Sequence, residues 1–343
     1  MKVGINGTGL ITRALVKLVA LNEEFKDIEI VQINGRSMTL DRLRDLLIYS
    51  SAQGHSNLDV TVNNETNELK VNGQTIKYTA DTKPEEIQWL PEIELLIEAT
   101  GKFRDDRKED SDPNRHFKSP ENKFKGIILT APGKGTITDY MWLASPNLEK
   151  EINALITAEK PFIIGAASCT TTATVPIVDT LDENFSIESC FLTTVHAVTR
   201  SQDILDGSKG WSAMDTQLHT TGATKSTNKV LNKSIPMSGI AFRTSDKTGS
   251  FIQIDTVLKK EVTKENLLDA FKTSKYKEYI SFASVSNPPS SYVRGNNSMV
   301  VLIPDEIVII NGNRVIIKGL YDNEEGYTHH MLRLIRYVIS KIN

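Results

Sequence analysis

Cysteine is almost missing from this chain, which carries only Cys169 and Cys190 among its 343 residues. Two thiols cannot build a disulfide framework and have the wrong pattern for zinc, so a reducing, cytoplasmic setting and no metal are expected. A surplus of either charge is missing too. Net charge is −3, and Arg104 and Arg107 are offset by the neighbouring Asp105 and Asp106, so nothing attracts nucleic acid or an anionic membrane. No apolar run approaches the roughly eighteen residues of a membrane-spanning helix, and Met1 to Asn6 run straight into a strand pattern with no room for a secretory leader. Internal repeats and low-complexity segments are absent. What is present is ordinary for a globular protein: 39% hydrophobic and 24% charged residues, over a length that suits two domains.

One of those two cysteines stands where a thiol becomes reactive. After the apolar run Pro161-Phe162-Ile163-Ile164-Gly165, the stretch Ser168-Cys169-Thr170-Thr171-Thr172-Ala173 reads as a strand-to-helix turn, with Ser168 as N-cap and Cys169 in the first helical turn. Unpaired amides and the helix macrodipole favour thiolate there, so a lowered pKa is expected. The competing account is a small buried hydrophobe that happens to start a helix. Farther on, Phe191-Leu192-Thr193-Thr194-Val195-His196 is a β-branched run ending in a lone histidine, a natural place for a base. A Cys and a His on separate strand ends suit an activated thiol.

The chain opens with the strand Lys2-Val3-Gly4-Ile5-Asn6, a Gly7-x-Gly9 turn and a helix through Leu15, Val16, Leu18 and Val19, the start of a dinucleotide-binding βαβ unit. A second strand follows at 28–34 and a helix at 40–47. Asn-rich turns make 59–62 and 68–71 a hairpin, and 73–77 reads as another edge strand. Residues 93–101 form a buried parallel strand ending in the small-residue turn Ala99-Thr100-Gly101. The polar stretch 102–125 reads as a solvated loop with a poorly formed helix, and strands at 126–132 and 162–164 complete a mostly parallel sheet. Longer strands then follow at 189–199, 239–242, 250–258, 298–302, 306–310 and 314–318, with a helix at 264–273. The expected fold is therefore α/β: a Rossmann-type dinucleotide-binding domain over 1–168, and an α+β catalytic domain over 169–322 with a largely antiparallel sheet. The amphipathic segment 328–341 must pack on something, and 323–343 is expected to complete the first domain.

Taken in order, Gly4-Ile5-Asn6-Gly7-x-Gly9, Ala99-Thr100-Gly101, Ser168-Cys169-Thr170-Thr171, Thr193-Thr194-Val195-His196-Ala197, Thr221-Gly222-Ala223-x-Lys225 and Tyr321-Asp322-Asn323-Glu324-x-Gly326-Tyr327 resemble the glyceraldehyde-3-phosphate dehydrogenase family over essentially the whole chain. The resemblance implies that Cys169 is the nucleophile and His196 the base. It implies a sugar-phosphate site around Thr199 and Arg243, and an inorganic-phosphate site around Ser168, Thr170, Thr221 and the backbone of Gly222. For NAD(P) it points to Asn6, Gly7, Gly9, Leu10, Ile11, Asn34, Gly35, Arg36, Thr100, Gly101, Ser208, Asn323 and Tyr327, with Asn323 on the nicotinamide carboxamide. It also implies a phosphorylating dehydrogenase of glycolysis that assembles as a homotetramer.

Several residues depart from the family's pattern. Thr172 and Ala173 replace an Asn and a second Cys, and Thr8 and Leu10 replace the usual aromatic and arginine. The loop 206–216 is shortened and lacks the arginine-rich run that relatives use for inorganic phosphate and subunit contact. At the end of the second strand, Gly35 stands where NAD-specific members carry Asp, and Arg36 offers a guanidinium one residue on. Gly207-Ser208 replaces a Leu-Pro pair typical of those members. NADP is therefore expected to be accepted at least as well as NAD, against the simpler account of a strand-ending turn with a solvated Arg. Two other activities stay open: an erythrose-4-phosphate or other phosphorylated-aldehyde dehydrogenase, and a catalytically silent nucleotide-binding relative.

Overall fold

A computed structural model describes residues 1–118, 122–158, 160–199, 202–208 and 210–342. The chain divides into two compact units, one of Met1–Trp142, Asn147–Ala167 and Thr328–Asn343, the other of Leu143–Pro146 and Ser168–Tyr327.

In the first unit, β1 (Lys2–Asn6), α1 (Leu10–Leu21), β2 (Glu29–Asn34) and α2 (Leu40–Ile48) are followed by the small pair β3 (Tyr49–Ser50) and β4 (Gly54–His55). Then come β5 (Val60–Asn63), β6 (Glu68–Val71), β7 (Gln74–Thr79), β8 (Leu95–Glu98), β9 (Gly126–Leu129), β10 (Thr138–Asp139), α3 (Leu148–Thr157) and β11 (Phe162–Gly165). All but the small pair form one sheet in the order β10-β11-β9-β8-β1-β2-β7-β6-β5. β1 pairs parallel with β2 on one side and β8 on the other. Its C-terminal end is thus the switch point where open α/β sheets hold their ligands. β8 and β9 are buried at every residue, which is why they read as unbroken apolar runs.

Two expectations need correction here. The strand near 73–77 is not an edge: β7 lies between β2 and β6 and pairs parallel with β2, because the β5/β6 hairpin extends the sheet beyond it. Its alternating burial resembles that of an edge strand, so local pattern could not distinguish the two. The 102–125 stretch is also less solvated than its composition suggests. It folds as 3₁₀ turns at Glu109–Ser111 and Pro113–Lys118, and Phe103, His116 and Phe124 are buried. The His116 Nε2 sits 2.9 Å from a Glu98 carboxylate oxygen, a pairing between distant residues that no local composition reveals. Ser119, Pro120 and Glu121 of that stretch lie outside the described residues.

The second unit begins with α4 (Cys169–Phe185) and β12 (Ile187–His196), continues through β13 (Gln217–Thr220), α5 (Ala223–Leu231), β14 (Met237–Arg243), β15 (Ser250–Leu258) and α6 (Lys264–Thr273), and closes with β16 (Ile280–Phe282), β17 (Val300–Leu302), β18 (Val308–Ile310) and β19 (Arg314–Tyr321). Its sheet runs β13-β14-β12-β15-β19-β17-β16, with β18 on β19. Pairing is antiparallel except between β12 and β14 and between β16 and β17. β15 alternates strictly between buried and half-buried residues, as a sheet with one covered face requires.

The last helix, α7 (Glu325–Ile342), crosses the division, and its residues from Thr328 belong to the first unit. Met331, Leu332, Leu334, Ile335, Val338 and Ile339 are buried, the apolar stripe read from the sequence. Arg333 clamps Glu24 bidentately at 2.7 and 2.9 Å, and Lys341 reaches Glu149 at 2.6 Å. Among the described residues no helix is long and apolar enough to cross a membrane.

Candidate active site

Ser168 caps α4 from an extended backbone, its hydroxyl accepting from the Thr171 amide at 3.2 Å. The residue before it, Ala167, takes φ 52°, the left-handed turn that leads from the β11 segment into the helix. Cys169 is therefore the first helical residue and half-buried. His196 ends β12, and the parallel register of β12 with β14 sets His196 beside Arg243. These elements bring together side chains far apart in the chain: Cys169 Sγ lies 3.3 Å from His196 Nε2, and Arg243 Nη1 lies 2.5 Å from His196 Nδ1.

The electrostatics of this cluster differ in one respect from the sequence expectation. Burial pushes the Cys169 thiol up from its ordinary pKa, while the Arg243 cation and hydrogen bonds from the Thr170 hydroxyl and amide pull the other way. The helix start alone does not ionise the thiol, so the proton needs an acceptor. His196 can be that acceptor. Burial, with the nearby Arg243 charge second, lowers it to about 4, against an opposing hydrogen bond to the Ala197 carbonyl, so the imidazole is neutral at pH 7. Its tautomer depends on Arg243. Nδ1 faces both the guanidinium and the Ala197 carbonyl oxygen, the latter at 2.7 Å, and Arg243 also donates to that oxygen at 3.2 Å. With Arg243 donating to Nδ1, the ring proton sits on Nε2 and points at sulfur; with Arg243 withdrawn, Nδ1–H donates to Ala197 and Nε2 is free to accept.

Tyr321, Thr194 and Ser250 support this cluster, and sequence reasoning assigned none of them a role. The Tyr321 hydroxyl, buried beneath the start of α4, is 3.0 Å from Thr170 Oγ1 and 2.9 Å from Thr194 Oγ1, tying α4 to β12. Ser250 Oγ accepts from the Ala197 amide and donates to Asn323 Oδ1, each at 3.2 Å. Asn323 Oδ1 also accepts from the Gly249 amide at 3.1 Å, so its oxygen is occupied and the amide nitrogen remains its donor. The available signals were that Tyr321 sits in the same short motif as Asn323 and Thr194 in the same motif as His196.

The expected phosphate ligands are placed unequally. Gly222 caps α5, and the Thr221 hydroxyl accepts from the Ala223 amide at 3.1 Å, a turn that opens helix amides to an anion. Ser168 Oγ accepts as a cap and lies 2.8 Å from Thr171 Oγ1, and Thr170 Oγ1 is bonded to the Tyr321 hydroxyl, so both are already engaged within the protein. The Thr199 amide donates to Gln202 at 3.2 Å. Ser208 lies exposed beside Gly207, whose amide and carbonyl pair with those of Gly210, and Lys209 lies outside the described residues. Tyr327 is buried at the start of α7.

In the first unit, the residues expected to hold a dinucleotide gather at the ends of β1, β2 and β8. Gly7 takes φ 121°, and a Cβ there would stand 2.9 Å from the Ala99 carbonyl carbon, so only glycine lets these backbones meet. Gly9 starts α1 from extended backbone without a side-chain cap, and Leu10 and Ile11 follow as its first residues. The amides there are open to a pyrophosphate, so the site fits a dinucleotide. Beneath the turn, Asn6 donates to Glu98 at 2.6 Å and Asn34 to Asn6 at 2.9 Å, while both the amide and the hydroxyl of Thr100 donate to Glu98. Asn6 and Asn34 are buried and hydrogen-bonded within the protein, so they hold the turn's shape. Gly101 is left-handed at φ 69°, and Arg36 is exposed. Among the described residues no cluster of His, Cys, Asp and Glu could hold a metal ion.

Comparison with known proteins finds matches in both parts of the chain. Residues 1–106 match the family profile of the glyceraldehyde 3-phosphate dehydrogenase NAD binding domain, and residues 168–323 match that of its C-terminal domain. The chain is 32% identical to glyceraldehyde-3-phosphate dehydrogenase 2 of Streptomyces avermitilis, covering 100% of this chain and 99% of that protein. It is 31% identical to glyceraldehyde-3-phosphate dehydrogenase 2 of Bacillus subtilis, with 100% and 98% covered. For glyceraldehyde-3-phosphate dehydrogenase of Geobacillus stearothermophilus, identity is 32% with 99% of each chain covered.

Proposed function

Because the chain belongs to the glyceraldehyde-3-phosphate dehydrogenase family, oxidoreductases whose first domain binds a nicotinamide dinucleotide, we propose that it oxidises glyceraldehyde 3-phosphate through a thioester on Cys169 and releases an acyl phosphate. The observation that carries this is the 3.3 Å contact between Cys169 Sγ and His196 Nε2. A catalytically silent relative would have no physical need for that contact.

In this reading the substrate's phosphate draws Arg243 off Nδ1; Nδ1 takes a proton from solvent and donates it to Ala197 while Nε2 releases its own to solvent, leaving Nε2 as a base. The thiol proton passes through His196 to the aldehyde oxygen as sulfur bonds to the carbonyl carbon. His196 then takes the thiohemiacetal hydroxyl proton as the C–H pair departs as hydride, leaving a thioester. Bound nicotinamide dinucleotide supplies the hydride acceptor. An oxygen of inorganic phosphate, held at Thr221 and the Gly222 helix start, attacks the thioester carbon; the C–S bond breaks and sulfur leaves as thiolate. The product assay tests this reading directly: acyl phosphate should form only when inorganic phosphate is present. Free acid formed at the same rate without phosphate would sink the phosphorylating step. That outcome would favour the second reading, an erythrose-4-phosphate or other phosphorylated-aldehyde dehydrogenase with water as acceptor, a reading motivated by the absence of any arginine from residues 206–216.

For the cofactor we infer NADP acceptance at least equal to NAD. Gly35 offers no carboxylate to repel a 2′-phosphate, while Arg36 is exposed one residue away. A kcat/KM ratio favouring NAD by more than about a hundredfold, roughly 2.7 kcal/mol, would overturn this.

The chain is further proposed to assemble with copies of itself, a tetramer by family resemblance. Ile204, Leu205, Trp211, Met214 and Leu218 are exposed around the shortened loop, more large apolar side chains than a monomer usually leaves in one segment. Light scattering at micromolar concentration should give a mass above 38.2 kDa. A monomer would mean that the shortened loop no longer supports an interface.

A further inference from the structure

Gly35 does not need to be glycine for its backbone, since it is absent from the positions with positive φ. It needs to be glycine for space. A Cβ built there falls on the Tyr78 hydroxyl oxygen, 2.6 Å from Thr8 Cγ2 and 2.9 Å from Tyr78 Cζ. Tyr78 reaches this point from β7, whose parallel register sets it opposite Ile33 of β2. The side chain is 7% exposed, and burial raises its pKa to about 12, so the phenol keeps its proton. That proton faces two carbonyl oxygens of the turn after β2, those of Gly35 at 3.0 Å and of Met38. The Gly35 amide donates to the Thr79 carbonyl at 2.8 Å, closing the same junction from the backbone.

The end of the second strand is where a dinucleotide fold ordinarily delivers the carboxylate that binds the adenine ribose hydroxyls. Here a bulky aromatic from a neighbouring strand occupies that volume. The same aromatic fastens both ends of the 35–38 turn, and Arg36 projects from that turn into solvent. We propose that Tyr78 is a specificity-determining residue for the cofactor. It excludes a ribose-binding carboxylate by occupying its space, and it fixes the turn that presents Arg36 to a 2′-phosphate. The Arg36 half of this rests on the NADP reading above; the exclusion half stands on geometry alone.

A double-mutant cycle of Gly35→Asp and Tyr78→Val separates the two, read by the thermal midpoint of the cofactor-free protein and by calorimetric Kd for NAD and NADP. Gly35→Asp alone should lower the midpoint by about 4 °C or more, as overpacking a closed site does, and should weaken both cofactors. In the double variant the midpoint should recover at least half of that loss, and the Kd ratio should move toward NAD by about tenfold or more. If Gly35→Asp alone melts with wild type and moves the ratio as far as the double variant does, Tyr78 excludes nothing and the proposal fails. Tyr78→Phe tests the hold on the turn: NADP Kd should rise about threefold or more with NAD Kd unchanged, and an equal change in both would overturn that half. A wild-type protein that simply prefers NAD removes the Arg36 reading but leaves the coupling between Gly35 and Tyr78 to be judged by the cycle.

Discussion

Cys169→Ser is expected to reduce aldehyde oxidation by more than about a thousandfold, roughly 4 kcal/mol of transition-state stabilisation, with the thermal midpoint within about 2 °C of wild type. Sulfur is required because the reaction runs through its ionised form. Burial outweighs the Arg243 charge and the Thr170 hydrogen bonds and holds the thiol above its ordinary pKa, so its proton must pass to His196 for sulfur to attack. A serine hydroxyl in the same place starts from a far higher pKa and is a much poorer nucleophile there. Alkylation gives an independent readout. Cys190 is buried and its thiol is pushed up to about 12, chiefly by desolvation, so stoichiometric iodoacetamide at pH 7 should label Cys169 first. Activity of the serine variant within about tenfold of wild type would remove Cys169 from the nucleophile's role.

His196→Asn should lower kcat by about 10² to 10⁴ and also slow alkylation of Cys169, because the imidazole both removes the hydroxyl proton and accepts the thiol's. The pH profile carries the sharper test. Burial and Arg243 hold the His196 pKa at about 4, so the base is competent above that pH and is lost by protonation as pH falls through it. The acid limb of kcat/KM that belongs to His196 should therefore lie near pH 4 rather than near the ordinary histidine value, and should vanish in the asparagine variant. An acid limb near 6.5 in wild type that persists in His196→Asn would break the pairing. The same depression has a cost in stability. Between about pH 6.5 and 4 the unfolded chain binds a proton at this position that the folded chain does not, so the His196 contribution falls as pH drops through that window.

Much of the architecture was legible in the residues, because local physics decides it. The Gly7-x-Gly9 turn, the Ser168 cap and the apolar stripe of α7 are set by backbone freedom, by a hydroxyl that satisfies an orphan amide and by helical periodicity. Family resemblance then named Cys169, His196 and Arg243 without any distance between them. What only the tertiary structure decided is which of these side chains meet, and at what charge. The register of β12 against β14 sets Arg243 on the far nitrogen of the imidazole, which controls the tautomer, and burial raises the thiol that a helix start would by itself lower. The same holds at the other end of the chain. Gly35 reads from the sequence as a missing carboxylate, but only the parallel pairing of β7 with β2 shows that Tyr78 fills the vacated space. Local sequence specifies elements through short-range sterics and hydrogen bonds, whereas contacts between distant strands depend on register, which no local pattern encodes.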